Sequence, residues 1–166
     1  MNFNNFTIKA QEVVQKAVQL TRTNGHQAIE PEHLLKAIIT EGDTVVRFIF
    51  QKLDINLMNV ERPLDAALQK LPHVSGGEPY LSNDASQVLD KANDIASKNG
   101  DQYVTVEALL MALFEVKSTA STILKDAGML VFSNAVFTEG YEREYVRHIL
   151  IVIFHPLQHA VKEVIN

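Results

Sequence analysis

Three of the six histidines crowd toward the C-terminal end, and they are the first residues whose spacing suggests chemistry. His155 and His159 stand four positions apart, and His148 lies seven before His155. On one uninterrupted helix that spacing would stack imidazoles on a single face, as a zinc site or a small metal-dependent enzyme would need. Pro156 interrupts the run and no carboxylate falls in register, so packed or solvated histidines are the better reading and no metal is expected. His26 and His33 form a second spaced pair farther upstream. The other residues able to meet a ligand are Thr7 and the acids Glu32, Asp101 and Glu107. Each also has a plain structural reading: a threonine before an apolar-periodic run caps a helix, an acid in a first helical turn answers the helix dipole, and Asp after Gly suits a turn. There is no G-x-x-x-x-G-K-[ST], no G-x-S-x-G and no H-E-x-x-H, so neither an ATP site nor a nucleophile elbow nor a zinc-protease helix is written here. The chain is not expected to be an enzyme or to hold a cofactor of its own.

Composition narrows the partners. The 166 residues carry a net charge of −5 and are 46% hydrophobic. That balance fits a globular core and lacks the basic footprint of a nucleic-acid binder. The absence of cysteine removes disulfides, thiol catalysis and cysteine-ligated zinc, and fits a reducing, cytoplasmic setting. The N-terminus "MNFNNFTIKAQ" lacks the basic and apolar regions of a secretory signal. The longest apolar run, "ILIVIF" at 149–154, is far too short to span a bilayer, so no membrane partner is expected.

What positions these residues is a duplication. "NGHQAIEPEHLLKAII" at 24–39 returns as "NGDQYVTVEALLMALF" at 99–114. The offset of 75 positions, the separation of Gly25 and Gly100, also pairs Ala10 with Ala85, Val13 with Val88, Ala17 with Ala92, Glu32 with Glu107 and Leu35 with Leu110, all without a gap. His26 and His33 fall opposite Asp101 and Ala108, so a symmetric metal site is not encoded.

Each copy reads as helices. Ala10, Val13, Val14, Ala17 and Val18 follow the i, i+3, i+4, i+7, i+8 spacing of an amphipathic helix. Thr7 and Ser82 are placed as N-caps, Gly25 and Gly100 as helix stops, and Pro31 and Thr105 as the openings of second helices. A third helix should turn Val45, Phe48 and Ile49 inward in copy one. A fourth should cover about 56–71, with Pro63 kinking it or marking its start. The expected layout is all-α: a pseudo-twofold tandem of two four-helix units, repeat one at 3–71, a Pro/Gly-rich connector at 72–80, and repeat two at 81–128. An atypical tail at 129–166 has no partner in copy one and should be helical at about 139–154 and again after Pro156. Neither unit is large enough to bury its apolar faces alone, so the two should share a core whose seam leaves a groove.

"FTIKAQEVVQKAVQLTRTNGHQAIEPEHLLKAII" and "LSNDASQVLDKANDIASKNGDQYVTVEALLMALFE", with the connector "LPHVSGGEPYLS" between them, resemble the Clp amino-terminal domain of the Clp/Hsp100 AAA+ chaperones, most nearly the ClpB disaggregase branch. The resemblance spans about residues 3–128. It implies a helical recognition module of an ATP-dependent disaggregase, one that engages unfolded or aggregated client proteins and is tethered to a parent AAA+ hexamer whose separate modules bind ATP. An adaptor-docking domain of the protease-linked ClpA/ClpC type is the alternative that the same resemblance allows. Carried onto this sequence, it assigns client contacts to Thr7, Asp101 and Glu107, and to an apolar groove at Leu81, Val88, Leu109 and Leu110. Past "ILKDAG" the family continues with a polar helix and an ATPase module, and here the apolar tail stands instead.

Overall fold

The computed structural model describes residues 3–41, 44–74 and 76–129, the side chains of residues 44, 45 and 52 excepted. The expected tail helices and the three tail histidines lie outside that range. In chain order the elements are α1 (Ile8–Thr23), β1 (Ala28–Ile29), α2 (Pro31–Thr40), α3 (Thr44–Lys52), α4 (Met58–Gln69), β2 (Tyr80–Leu81), α5 (Asn83–Asn99), α6 (Val106–Glu115) and α7 (Thr119–Asp126). Among the described residues, copy one therefore shows four helices and copy two shows three.

Local chemistry sets the ends of these helices. The side-chain oxygens of Thr7, Ser82 and Thr105 accept from the backbone N–H groups of Ala10, Ala85 and Ala108, each satisfying a donor that the first turn leaves open. Pro31 is the first residue of α2, where its missing N–H removes nothing the helix needs. Gly100, at φ +78°, turns the chain out of α5 through the left-handed region. Replacing Thr7 or Ser82 by Ala should each lower the unfolding free energy by about 1 kcal/mol, while Thr7→Ser should leave it nearly unchanged; urea titration checks both.

Two sequence expectations shift. In α3 the buried residues are Val46, Ile49 and Phe50, and Phe48 is exposed. The run supports two stripes one residue apart, each obeying i, i+3, i+4, and a helix can turn only one of them inward. In α4, Pro63 does not mark the start: the helix begins at Met58, whose backbone N–H donates to the Asn56 side-chain oxygen, and runs on to Gln69. The proline withholds one bond, the one its N–H would have given the Asn59 carbonyl. The burial of Val60, Leu64 and Leu68 holds the helix across that gap.

The halves are interlocked rather than merely apposed. Phe6, just ahead of α1, forms a parallel bridge with Val104, just ahead of α6. Leu81, just ahead of α5, pairs in parallel with Ile29, just ahead of α2. Applying the 75-residue offset to either pair produces the other. Each copy thus lends the stretch before its first helix to the link before the other copy's second helix. The backbone bonds match as well: Thr7 N–H to Val104 O at 3.0 Å, and Ser82 N–H to Ile29 O at 3.1 Å. These two short pairings are the strand content of the described residues, and they leave the architecture all-helical. Between them α2 lies on α6, α1 on α6, α5 on α2, α2 on α7 and α3 on α6, so that one apolar core runs through both copies.

Candidate functional site

Thr7, Asp101 and Glu107, the polar contacts that the resemblance assigns, lie within three residues of the first bridge along the chain. Thr7 is hydrogen-bonded to Val104 through its backbone N–H. Asp101 lies three residues before Val104, its own N–H closing the end of α5 on the Ala96 carbonyl. Glu107 lies three residues after Val104, in the first turn of α6. All three side chains are partly exposed. Thr7 is engaged as a cap through its hydroxyl oxygen, at 3.2 Å from Ala10 N. Two large apolar residues that the sequence did not mark stand beside them: Ile8, 76% exposed, follows Thr7, and Tyr103, 46% exposed, precedes Val104. Ile8 lies off the apolar stripe of α1, and such an off-stripe residue at a helix start is the signal that could have found it. Ile8 and Tyr103 are thus exposed apolar residues on the two segments that the bridge joins, with Asp101 and Glu107 three residues either side of Val104 along the chain.

The expected groove needs correction. Val88 is 0% exposed, and Leu109 and Leu110 are each 1% exposed. All three belong to the core, and no face of theirs is open to a client. Because α2 and α6 meet at the seam, Leu34, Leu35, Leu109 and Leu110 fill it. Leu81 is half-buried and pairs with Ile29 in the second bridge.

The second bridge has different chemistry. His26 and His33 are buried beside it, with His26 Nδ1 2.9 Å from His33 Nε2. The Glu30 N–H donates to His33 Nδ1 at 3.0 Å. That donor fixes the tautomers of the neutral pair in turn: His33 carries its proton on Nε2 and gives it to His26 Nδ1, and His26 must carry its own on Nε2. His26 Nε2 is buried without a partner. The exposed ring of His73, from the connector, lies 5.0 Å from the His26 ring between centroids. Burial pushes His33 down to about 4, with His26 adding to the shift. Burial, then His73, lowers His26 as well. Among the described residues no group of three potential ligands could hold a metal ion, and no helix is long and apolar enough to cross a membrane.

Comparison with known proteins decides the family. The Clp repeat (R) N-terminal domain matches residues 5–127. This chain belongs to the Clp N-terminal domain family. It is 54% identical over 129 residues to the chaperone protein ClpB of Bacteroides thetaiotaomicron, a match covering 78% of this chain and 15% of the relative. It is 50% identical over 128 residues to ClpB of Porphyromonas gingivalis, covering 77% of this chain and again 15% of the relative. The match therefore accounts for under a sixth of the length of these relatives. Among solved structures, the Hsp104 N-terminal domain from Candida albicans superposes with a TM-score of 0.69 at 29% identity, covering 76% of this chain and 83% of that one.

Within this Clp N-domain the repeated acid has two settings. Glu107 is partly exposed beside the first bridge. Glu32, its counterpart by the offset, is 7% exposed. Burial raises the Glu32 carboxyl above its ordinary value, partly offset by a hydrogen bond from the Thr119 side chain at the start of α7. One acid of the pair is thus displayed and the other ties α2 to α7 across the seam. Sequence symmetry alone gives no sign of that difference.

Proposed function

We propose that this Clp N-domain is the substrate-recognition module of an ATP-dependent Clp-type disaggregase, and that it engages exposed segments of misfolded or aggregated proteins on the surface around the Phe6–Val104 bridge. The observation that carries the reading is the exposure of Ile8, next to Thr7, and of Tyr103, next to Val104, on the two segments that this bridge joins, with Asp101 and Glu107 on the second of them. Unfolded chains present apolar side chains, and covering apolar area yields roughly 25 cal/mol per Å². Two such residues give a small contact, so binding should be weak, on the order of micromolar or weaker, and tolerant of sequence. A module that must release its clients needs that weakness. The acids add a preference for segments with basic flanks, one that salt weakens. ATP and the hexameric ring belong to the parent protein in this reading, and the domain supplies capture alone.

The test is a titration with a fluorescently labelled, reduced and alkylated unfolded protein. The double variant Ile8→Ser/Tyr103→Ser should weaken binding about tenfold. Asp101→Asn should flatten the salt dependence. If the double variant binds as wild type, the surface is misassigned. If the chain instead forms a tight stoichiometric complex with one folded protein, the adaptor-docking reading replaces this one.

A further inference from the structure

One corner of copy one is closed by α4, and its counterpart in copy two presents different chemistry. In copy one, α4 lies across α2 and α7. It turns Val60, Leu64 and Leu68 inward, and its Asp65 pairs with Lys36 of α2 at 2.7 Å. The 75-residue offset carries α2 to α6 and α7 to α3, two helices that also pack on each other. Among the described residues it carries α4 to no helix. The corner of α6 and α3 is the more apolar of the two. Met111, partly buried, stands where Lys36 does, so no cation is offered to a second Asp65. Ile123 of α7 is 6% exposed, whereas Phe48, its counterpart on α3, is 40% exposed. From Ala108 to Phe114 every side chain of α6 is apolar, and a helix apolar all round needs cover on every side.

The residues that the offset sets against α4 do not carry its stripe: Val60, Leu64 and Leu68 fall on Ala135, Glu139 and Arg143. Burying either charge against Met111 is costly. Farther along, Leu157, Val161 and Ile165 repeat the i, i+4, i+8 spacing of the α4 stripe, with Ala160 and Val164 flanking them. On a helical projection these five fall on one side, and Gln158, His159, Lys162 and Glu163 fall on the other. Pro156 opens the run, at a position where a helix accepts proline. We propose that residues 156–166 form an amphipathic helix that docks on the α6–α3 corner of their own chain, setting Leu157, Val161 and Ile165 on Met111 and Phe48 in the place that α4 takes on copy one. An aliphatic stripe suits Met111 as Asp65 suits Lys36. Reach favours the chain's own corner over a second copy. Extended, the stretch from Met129 to Leu157 spans about 90 Å, against roughly 8–10 Å between the axes of packed helices. Such a tether holds the segment at an effective concentration on the order of millimolar. The inference stands apart from the client reading.

The test uses the full chain. Lys162→Cys, on the polar side of the segment, provides its single thiol and carries a nitroxide. The ¹³C-methyl resonance of Met111 is the probe. The label should broaden it strongly, and reducing the nitroxide should restore it. Val161→Asp in the labelled chain should abolish most of the broadening, because a carboxylate on the stripe is not accommodated against Met111. Phe48→Asp should do the same from the other side of the contact, with the buried Met129 methyl still dispersed to show that the body is folded. Labelled chains without ¹³C, mixed with ¹³C-methionine chains without the label, should leave Met111 sharp. A Met111 signal untouched by its own chain's label, broadening that survives Val161→Asp, or broadening in the mixed sample would each overturn the proposal.

Discussion

Acidification from pH 7 to pH 4 should remove about 3 kcal/mol of unfolding free energy through His33 alone, taking its folded pKa as about 4 and its unfolded value as 6.5. The sign follows from proton uptake. Below pH 6.5 the unfolded chain protonates this imidazole while the folded chain does not, until the pH reaches about 4. The contribution is therefore complete above pH 6.5 and is lost on the way down to pH 4. The cause is structural: His33 is 0% exposed and faces another imidazole that becomes a second positive charge if it also protonates. Protonating both would set two donors against each other at 2.9 Å. His26 shifts in the same direction, which adds to the slope. Glu32 opposes it, since a raised carboxyl pKa favours the folded state as the pH falls. Urea titrations of wild type and His33→Gln between pH 4 and 7 isolate the imidazole. The variant should lose the larger part of the pH slope, and a slope equal to wild type would show that His33 does not titrate as its burial requires.

Leu110→Ala should destabilise the chain by about 2–5 kcal/mol, through the lost transfer energy and the cavity left in a close-packed seam. Leu35→Ala, at the position related by the repeat, should fall in the same range, because both side chains are fully buried where α2 crosses α6. Measured where the variant remains folded, affinity for the unfolded reporter should be unaltered. A groove residue would behave in the opposite way, with binding lost and stability kept. Chemical denaturation beside the client titration therefore decides between core and groove for Leu110, and the same comparison applies to Val88 and Leu109.

Much of this fold could be read from the sequence because its signals are local. The caps at Thr7, Ser82 and Thr105, the stop at Gly100 and the opening at Pro31 are each settled by a few neighbouring atoms, so residue type and position sufficed to place them. The 75-residue repeat announced two related halves, and the 3.6-residue period identified the inward faces of α1 and α5. The register of α3 was not determined locally, because two stripes were equally periodic and only the packing partner chose between them. The same limit applies to the sites. A leucine on an apolar stripe looks alike in the sequence whether it faces solvent or a second helix, so Leu109 and Leu110 could be assigned to the core only once α2 and α6 were set against each other. The exchange of segments across the two bridges, the exposure of Ile8 and Tyr103, and the contact of His73 with His26 far away in the chain arise from which residues the tertiary fold brings together. Sequence determined the helices and their kinship, because those depend on neighbours along the chain. Tertiary structure decided what is surface and what is core, because burial depends on neighbours in space.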